Sequence, residues 1–221
     1  RKLDLPVSFA LGEQPGQSFE CLVSDASSMV STSVGEGFGL AFLEPWLFGK
    51  PVLGRDLPEI TADFKENGIA LPDLYAEWRV SCQRFDGRGQ QERFGIIIRE
   101  LYAAYDQAIG DAAVQSAWED LIVDDRIDFG MLDESAQSEV LQSGNADDLV
   151  PPVDPERVDQ SVREANREQI KKLYGLSRYG KSLQAIYGIL LEAPPDAPRA
   201  ADADAILKAF LDTRRIRMLR S

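Results

Sequence analysis

Residues 27 to 56, "SSMVSTSVGEGFGLAFLEPWLFGKPVLGRD", constrain the fold more than any other stretch of this chain. "SSMVSTS" (27–33) is rich in β-branched and small residues and reads as a strand. A glycine-rich corner follows, then an apolar run from about Leu40 to Phe48 that reads as a helix ended by Gly49. "KPVLGRD" reads as the next strand. Strands joined by a helix at this spacing indicate a parallel sheet, because parallel neighbours need a crossover where antiparallel ones need only a hairpin. The flanks continue the alternation. "LPVSFAL" (5–11) is expected to form a strand, and "GQSFECLVSDA" a helix with Phe19, Leu22 and Val23 on one face. "ITADFKENG" is read as a turn or short helix, and "GIALP" as a fourth short strand.

Beyond about residue 85 the pattern changes. "DGRGQQ" reads as a polar loop, and Glu92 to Asp124 as helical, with Phe94, Ile97, Ile98 and Leu101, then Val114, Trp118 and Leu121, at helical spacing. Asp133 is an N-cap candidate with acids in the turn after it. "GNADDLVPPVDP" (144–155) reads as a linker, and Asp154 with Pro155 as the start of a helix running to about Leu173. "SLQAIYGILLE" is expected to be helical, "APPDAPRAADA" a linker, and the segment from Ala205 to Arg220 amphipathic.

Composition excludes several function classes. Apolar residues make up 44% of the 221, enough for a sizeable core, which argues against disorder throughout. The longest apolar runs fall short of the roughly 20 residues that span a bilayer. Net charge is −13, which argues against a nucleic-acid partner, since neutralising phosphates needs clustered Lys and Arg. Histidine is absent, so Ser-His-Asp and Cys-His catalysis and His-based metal sites are excluded within the chain. The two cysteines, Cys21 and Cys82, are too few for a disulfide framework and read as reduced thiols of a cytoplasmic protein. The first residue is Arg1, so the chain is read as lacking its true N-terminus.

Two glutamates bracket the corner: Glu36 and Glu44, eight residues apart. A strand that turns through glycines into a helix presents free backbone N–H groups, and these favour phosphate. Gly37 and Gly39 allow a ligand to approach the main chain. In open α/β sheets ligands bind beyond the carboxyl ends of the strands. A carboxylate would repel a diphosphate but is a good acceptor for vicinal hydroxyls. Two such acids flanking an anion site match a nucleotide sugar. Taken singly, each piece has a plainer reading. Glu44 is a solvent-facing helix acid, "GFG" a tight turn and Ser33 a loop-holding hydroxyl. Lys50, Arg55, Asp56 and Glu59 are sheet-end surface residues, and Asp202-x-Asp204 a helix cap rather than a metal site. Asp124-Asp125 and Asp147-Asp148 are turns, and Tyr102, Tyr105, Tyr179 and Tyr187 are packing residues.

"EGFGLAFLE" resembles the E-x7-E motif of retaining glycosyltransferases of the GT-B fold, in the large family that includes sucrose, mannosyl and glucosyl transferases. "STSVGEGFG" upstream is similar to that family's Ser-x-x-Glu-Gly-Phe-Gly, with Ser33 in the serine position. "GKPVLGRDLPEI" and "ENGIAL" downstream resemble its following strand, loop and turn, so that motif and flanks cover about residues 5 to 72. "YGLSRYGKSLQAIY" loosely resembles its closing Tyr-rich helices. The resemblance implies that Glu36 contacts the transferred sugar and Glu44 the ribose. Ser33 and the backbone of Gly37, Phe38, Gly39 and Leu40 complete the donor site. It further implies a UDP- or GDP-linked hexose as donor, no cofactor and no metal. Residues 1–85 are then a Rossmann-like nucleotide-sugar-binding region, incomplete at its N-terminus, and 86–221 a mainly helical C-terminal region. Pro45 departs from the family, which more often has Ala after the second glutamate. No equivalent of the family's first domain, with its acceptor site, is visible, so that domain is expected in cis or in trans. The alternatives are a non-catalytic nucleotide-sugar-binding module, half of a split enzyme, or a GT-B-fold epimerase or phosphorylase.

Overall fold

The computed structural model describes residues 7–16, 18–35, 37–144, 153, 158–192, 200–216 and 218. The fold is mixed α/β. In chain order the first elements are α1 (Phe19–Asp25), β1 (Met29–Ser31), α2 (Glu44–Leu47), β2 (Val52–Arg55), α3 (Pro58–Glu66) and β3 (Leu74–Tyr75). Next come β4 (Arg79–Ser81), α4 (Gly87–Ala104), α5 (Asp111–Glu119), β5 (Ile122–Val123), β6 (Arg126–Asp128) and α6 (Glu134–Ser143). Three helices close the list: α7 (Gln160–Tyr174), α8 (Leu176–Glu192) and α9 (Ala203–Phe210). None of the described helices is long and apolar enough to cross a membrane.

The chain divides into two compact units, Arg1–Ala76 with Pro152–Arg199, and Glu77–Pro151 with Ala200–Ser221. The change of unit at Ala76 precedes the change of character expected at residue 85, and the region 86–221 contributes helices to both units.

In the first unit β1, β2 and β3 form a parallel sheet in that order. Met29, Val30 and Ser31 pair with Val52, Leu53 and Gly54, and Gly54 and Arg55 pair with Leu74 and Tyr75. β2 is central and all four of its residues are buried, as in a parallel strand covered on both faces. Phe42, Trp46, Val52, Phe64, Ile69 and Ile170 belong to one core beside this sheet. The run expected as one helix from Leu40 to Phe48 is divided. Leu40–Phe42 is a 3-10 turn, and α2 begins only at Glu44. Pro45 therefore sits in the first turn of α2, where its missing N–H costs no helical bond. Gly49, at φ 69°, ends α2. Its N–H donates to Trp46 O at 3.0 Å and that of Lys50 to Pro45 O at 3.0 Å, the paired bonds of a Schellman turn.

Two expected strands are absent among the described residues. Of "LPVSFAL", residues 5 and 6 lie outside the described residues, residues 7 to 10 form no element, and Leu11–Glu13 is a 3-10 turn. Residues 7–16 are exposed, so the alternation finds neither a partner strand nor a core to face. "GIALP" buries Ile69 and Leu71 without joining the sheet. The backbone of Ala70 pairs instead with the fully buried side chain of Asn166 on α7. The Asn166 amide accepts from Ala70 N at 2.9 Å and donates to Ala70 O at 2.7 Å. One side chain thus stands in for a neighbouring strand. Asn166→Ala is expected to lower stability by about 1–3 kcal/mol in urea denaturation, because it strands buried polar groups. The helix start at Asp154 and Pro155 and the turn at Asp147-Asp148 lie outside the described residues. α7 is entered at Asp159, whose carboxylate accepts from Val162 N at 3.0 Å.

The second unit holds an antiparallel sheet, β4-β6-β5, that the helical reading of Glu92–Asp124 does not contain. That stretch holds most of α4, all of α5 and β5, the first strand of the β5–β6 hairpin. The turn Asp124-Asp125 has φ 52° and 57°, which suits a two-residue hairpin turn. The supposed loop "DGRGQQ" is the start of α4, because the Asp86 carboxylate accepts from Gly89 N at 3.0 Å and caps it. Phe94, Ile98, Trp118, Ile127, Leu132 and Val140 form the core. Asp133 caps α6 as expected, accepting from Ala136 N at 2.9 Å, and is also paired with Arg93. Asp202 caps α9 as expected, accepting from Ala205 N at 3.0 Å. Tyr102 and Tyr105 pack as expected, the first donating to Leu211 O at 2.8 Å and the second lying 5.1 Å from the Phe210 ring.

Cys21 is exposed, whereas Cys82 is half-buried. Burial, and then the nearby Asp125 carboxylate, hold the Cys82 thiol above its ordinary range. At neutral pH it stays protonated, so an alkylating reagent is expected to label Cys21 well before Cys82, with the order read by peptide mass spectrometry.

Candidate functional site

All three strands of the first sheet run the same way, so their carboxyl ends, Ser31, Arg55 and Tyr75, share one edge. The glycine corner leaves from this edge after β1. Ser33 is half-buried and its N–H donates to Ser31 Oγ at 3.4 Å, which tightens the exit from the strand. Glu36 lies outside the described residues. Gly37 is exposed, and no heavy atom would lie within 4 Å of a Cβ there, so its main chain is open to solvent.

Phe38 is 87% exposed and points away from the core. Gly39 is buried at φ 70°, and a Cβ there would meet Ile60 Cγ2 at 2.1 Å and Phe64 Cε2 at 3.1 Å. Glycine at this position is what seats the corner against α3. The bonds Phe42 N to Gly39 O, 3.0 Å, and Leu43 N to Leu40 O, 2.9 Å, begin the 3-10 turn. The N–H groups of Leu40 and Ala41 precede that ladder and are not used by it. Glu44 is exposed in the first turn of α2. The structure therefore gathers Ser33, Gly37, Phe38, Gly39, Leu40 and Glu44 on one short segment beyond the sheet's carboxyl edge.

Arg55 is the residue that sequence reasoning placed wrongly. It is only 7% exposed, not a surface residue, and closes the central strand at the same edge. Its guanidinium donates to Ala76 O at 3.0 Å and lies 5.5 Å from the centre of the Tyr75 ring. The sequence signal is weak: a lone arginine after an apolar strand normally turns outward. The other residues here serve the scaffold. Asp56 accepts from Thr61 and pairs with Lys65 at 2.5 Å. Lys50 Nζ donates to Ser24 O at 2.6 Å, at the last turn of α1. The arrangement offers an exposed glycine at Gly37, the N–H groups of Leu40 and Ala41 outside the 3-10 ladder, an exposed carboxylate eight residues after Glu36, and a buried cation at the adjoining strand end.

No family model, no curated protein and no solved structure matches this chain.

Proposed function

We propose that this chain is the C-terminal, donor-binding part of a retaining glycosyltransferase of the GT-B type. The observation that carries the reading is that Ser33, Gly37, Phe38, Gly39 and Leu40 follow directly on the carboxyl end of the parallel strand β1, with Glu44 exposed after them. Anionic and nucleotide ligands favour that edge in open α/β sheets.

Each residue then has a role set by its chemistry. The N–H groups from Gly37 to Leu40 receive the diphosphate oxygens. Glu44 accepts from the vicinal hydroxyls of the ribose. Glu36 accepts from hydroxyls of the sugar and orients it, and it is not assigned as a nucleophile. In the reaction the bond between the anomeric carbon and the diphosphate oxygen breaks. The acceptor oxygen bonds to that carbon on the same face, its hydroxyl proton passes to the departing diphosphate oxygen, and the nucleoside diphosphate leaves with the bonding electrons. Donors aimed at the diphosphate stabilise its growing charge. The acceptor is bound by a further domain.

The test is isothermal titration of the chain with UDP, GDP and their glucose and mannose conjugates. One base is expected to bind and the other to bind much more weakly. Failure of all four ligands to bind a folded sample, with and without an added acceptor domain, contradicts the reading.

A further inference from the structure

Tyr179 and Tyr187, expected to pack, are 61% and 60% exposed, and the helix that carries them has no buried residue at all. At 100° per residue, Leu176, Tyr179, Leu183, Ile186, Tyr187 and Leu190 fall on one face of α8. Leu176 is 87% and Leu190 64% exposed. Arg178 and Lys181 fall on the opposite face together with Ile189 and Glu192, and Gln184 and Leu191 lie at its flank. α8 is thus amphipathic, with exposed apolar side chains concentrated on one face.

Charge says what covers it. The chain carries −13, yet from residue 171 to the end of α8 there are four cations, Lys171, Lys172, Arg178 and Lys181, against one acid, Glu192. These four, with Ser177 and Ser182, line a shallow cleft of about 450 Å³ at the α7–α8 turn. Lys171 pairs with Glu168 at 3.1 Å, while Lys172, Arg178 and Lys181 enter no ion pair among the described residues. An anionic surface satisfies both halves of the feature. A cationic polar side opposite an apolar side with aromatic residues is the pattern of helices that lie in a membrane interface. The length, about 25 Å at 1.5 Å per residue, suits a helix lying in the plane.

We propose that α8 docks this protein on a bilayer containing anionic phospholipid. The face of Tyr179, Ile186 and Leu190 enters the boundary of the acyl chains, and the four cations at the α7–α8 turn meet headgroup phosphates. The inference does not depend on the glycosyltransferase reading.

Flotation of the full chain with lipid vesicles tests it. The chain is expected to float with phosphatidylglycerol-containing vesicles and to remain behind with pure phosphatidylcholine. High salt should weaken the binding. Ile186→Glu and Leu190→Glu should each abolish flotation. Replacing Lys172, Arg178 and Lys181 together by alanine should weaken it about a hundredfold, at roughly fivefold per cation. These side chains are exposed, and unchanged circular dichroism shows that the variants fold. Three outcomes overturn the proposal: no flotation with anionic vesicles, equal flotation with neutral ones, or wild-type flotation of Ile186→Glu. A dimer in sedimentation equilibrium that Ile186→Glu dissociates also overturns it, because the face then belongs to a second copy.

Discussion

Replacing Trp46 with alanine is expected to lower the stability of the unit that holds the parallel sheet by about 3–5 kcal/mol. Trp46 is 0% exposed, and Phe42, Leu43, Val52, Phe64 and Ile170 belong to the same core. Its indole N–H has no partner among the described residues, so packing alone is lost on truncation. Trp46→Phe, which keeps a ring and breaks no hydrogen bond, should cost clearly less. Urea denaturation followed by far-UV circular dichroism reads both. Equal midpoints for the alanine and wild-type chains contradict the assignment of this core. The effect also reaches the candidate site. Trp46 and Glu44 share the four-residue helix α2, so losing the anchor releases the carboxylate.

Gly54→Ala is expected to destabilise the same unit by roughly 2–5 kcal/mol, through backbone strain and overpacking together. Gly54 has φ 154°, and a Cβ there would lie 2.5 Å from the carbonyl oxygen of Ser31. The atom struck is backbone in the neighbouring strand, so no side chain can move aside. β1 must separate from β2, and the corner that follows Ser31 moves with it. Gly37→Ala is the control. No heavy atom would lie within 4 Å of its Cβ, and its cost should stay within about 0.5 kcal/mol. Thermal unfolding of the two variants side by side gives the comparison. Equal losses contradict the register that pairs Gly54 with Ser31.

What the residues disclosed in advance were features carried by local chemistry. The short strand Met29–Ser31, the apolar strand Val52–Arg55 and the carboxylate caps Asp133 and Asp202 stand where short-range rules put them. The failures share a cause, which is dependence on partners distant in sequence. Ala70 is bonded by a side chain 96 residues away, and no local pattern announces that. Residues 7–10 alternate correctly but have nothing to pair with. Asp86 starts a helix through two glycines that would otherwise argue for a loop. The short strands of the antiparallel sheet hold too few residues to show a period, and the sequence reading contains none of them. The candidate site was legible as a motif because its residues are contiguous. Arg55 was not, since only the pairing of three strands brings it to the same edge.

The most direct test of the donor-site assignment is a two-by-two titration. The wild-type chain and Glu44→Ala are each titrated with the nucleoside diphosphate that binds, UDP or GDP, and with its 2′,3′-dideoxy analogue. The account predicts that the wild type binds the natural nucleotide about 10–100-fold more tightly than the analogue, as hydrogen bonds to a charged carboxylate are worth about 1.5–3 kcal/mol. Glu44→Ala should bind both equally, at the affinity of the analogue. If Glu44→Ala keeps the full preference for the natural nucleotide, Glu44 does not hold a ribose and the reading of this corner as a nucleotide-sugar site is wrong.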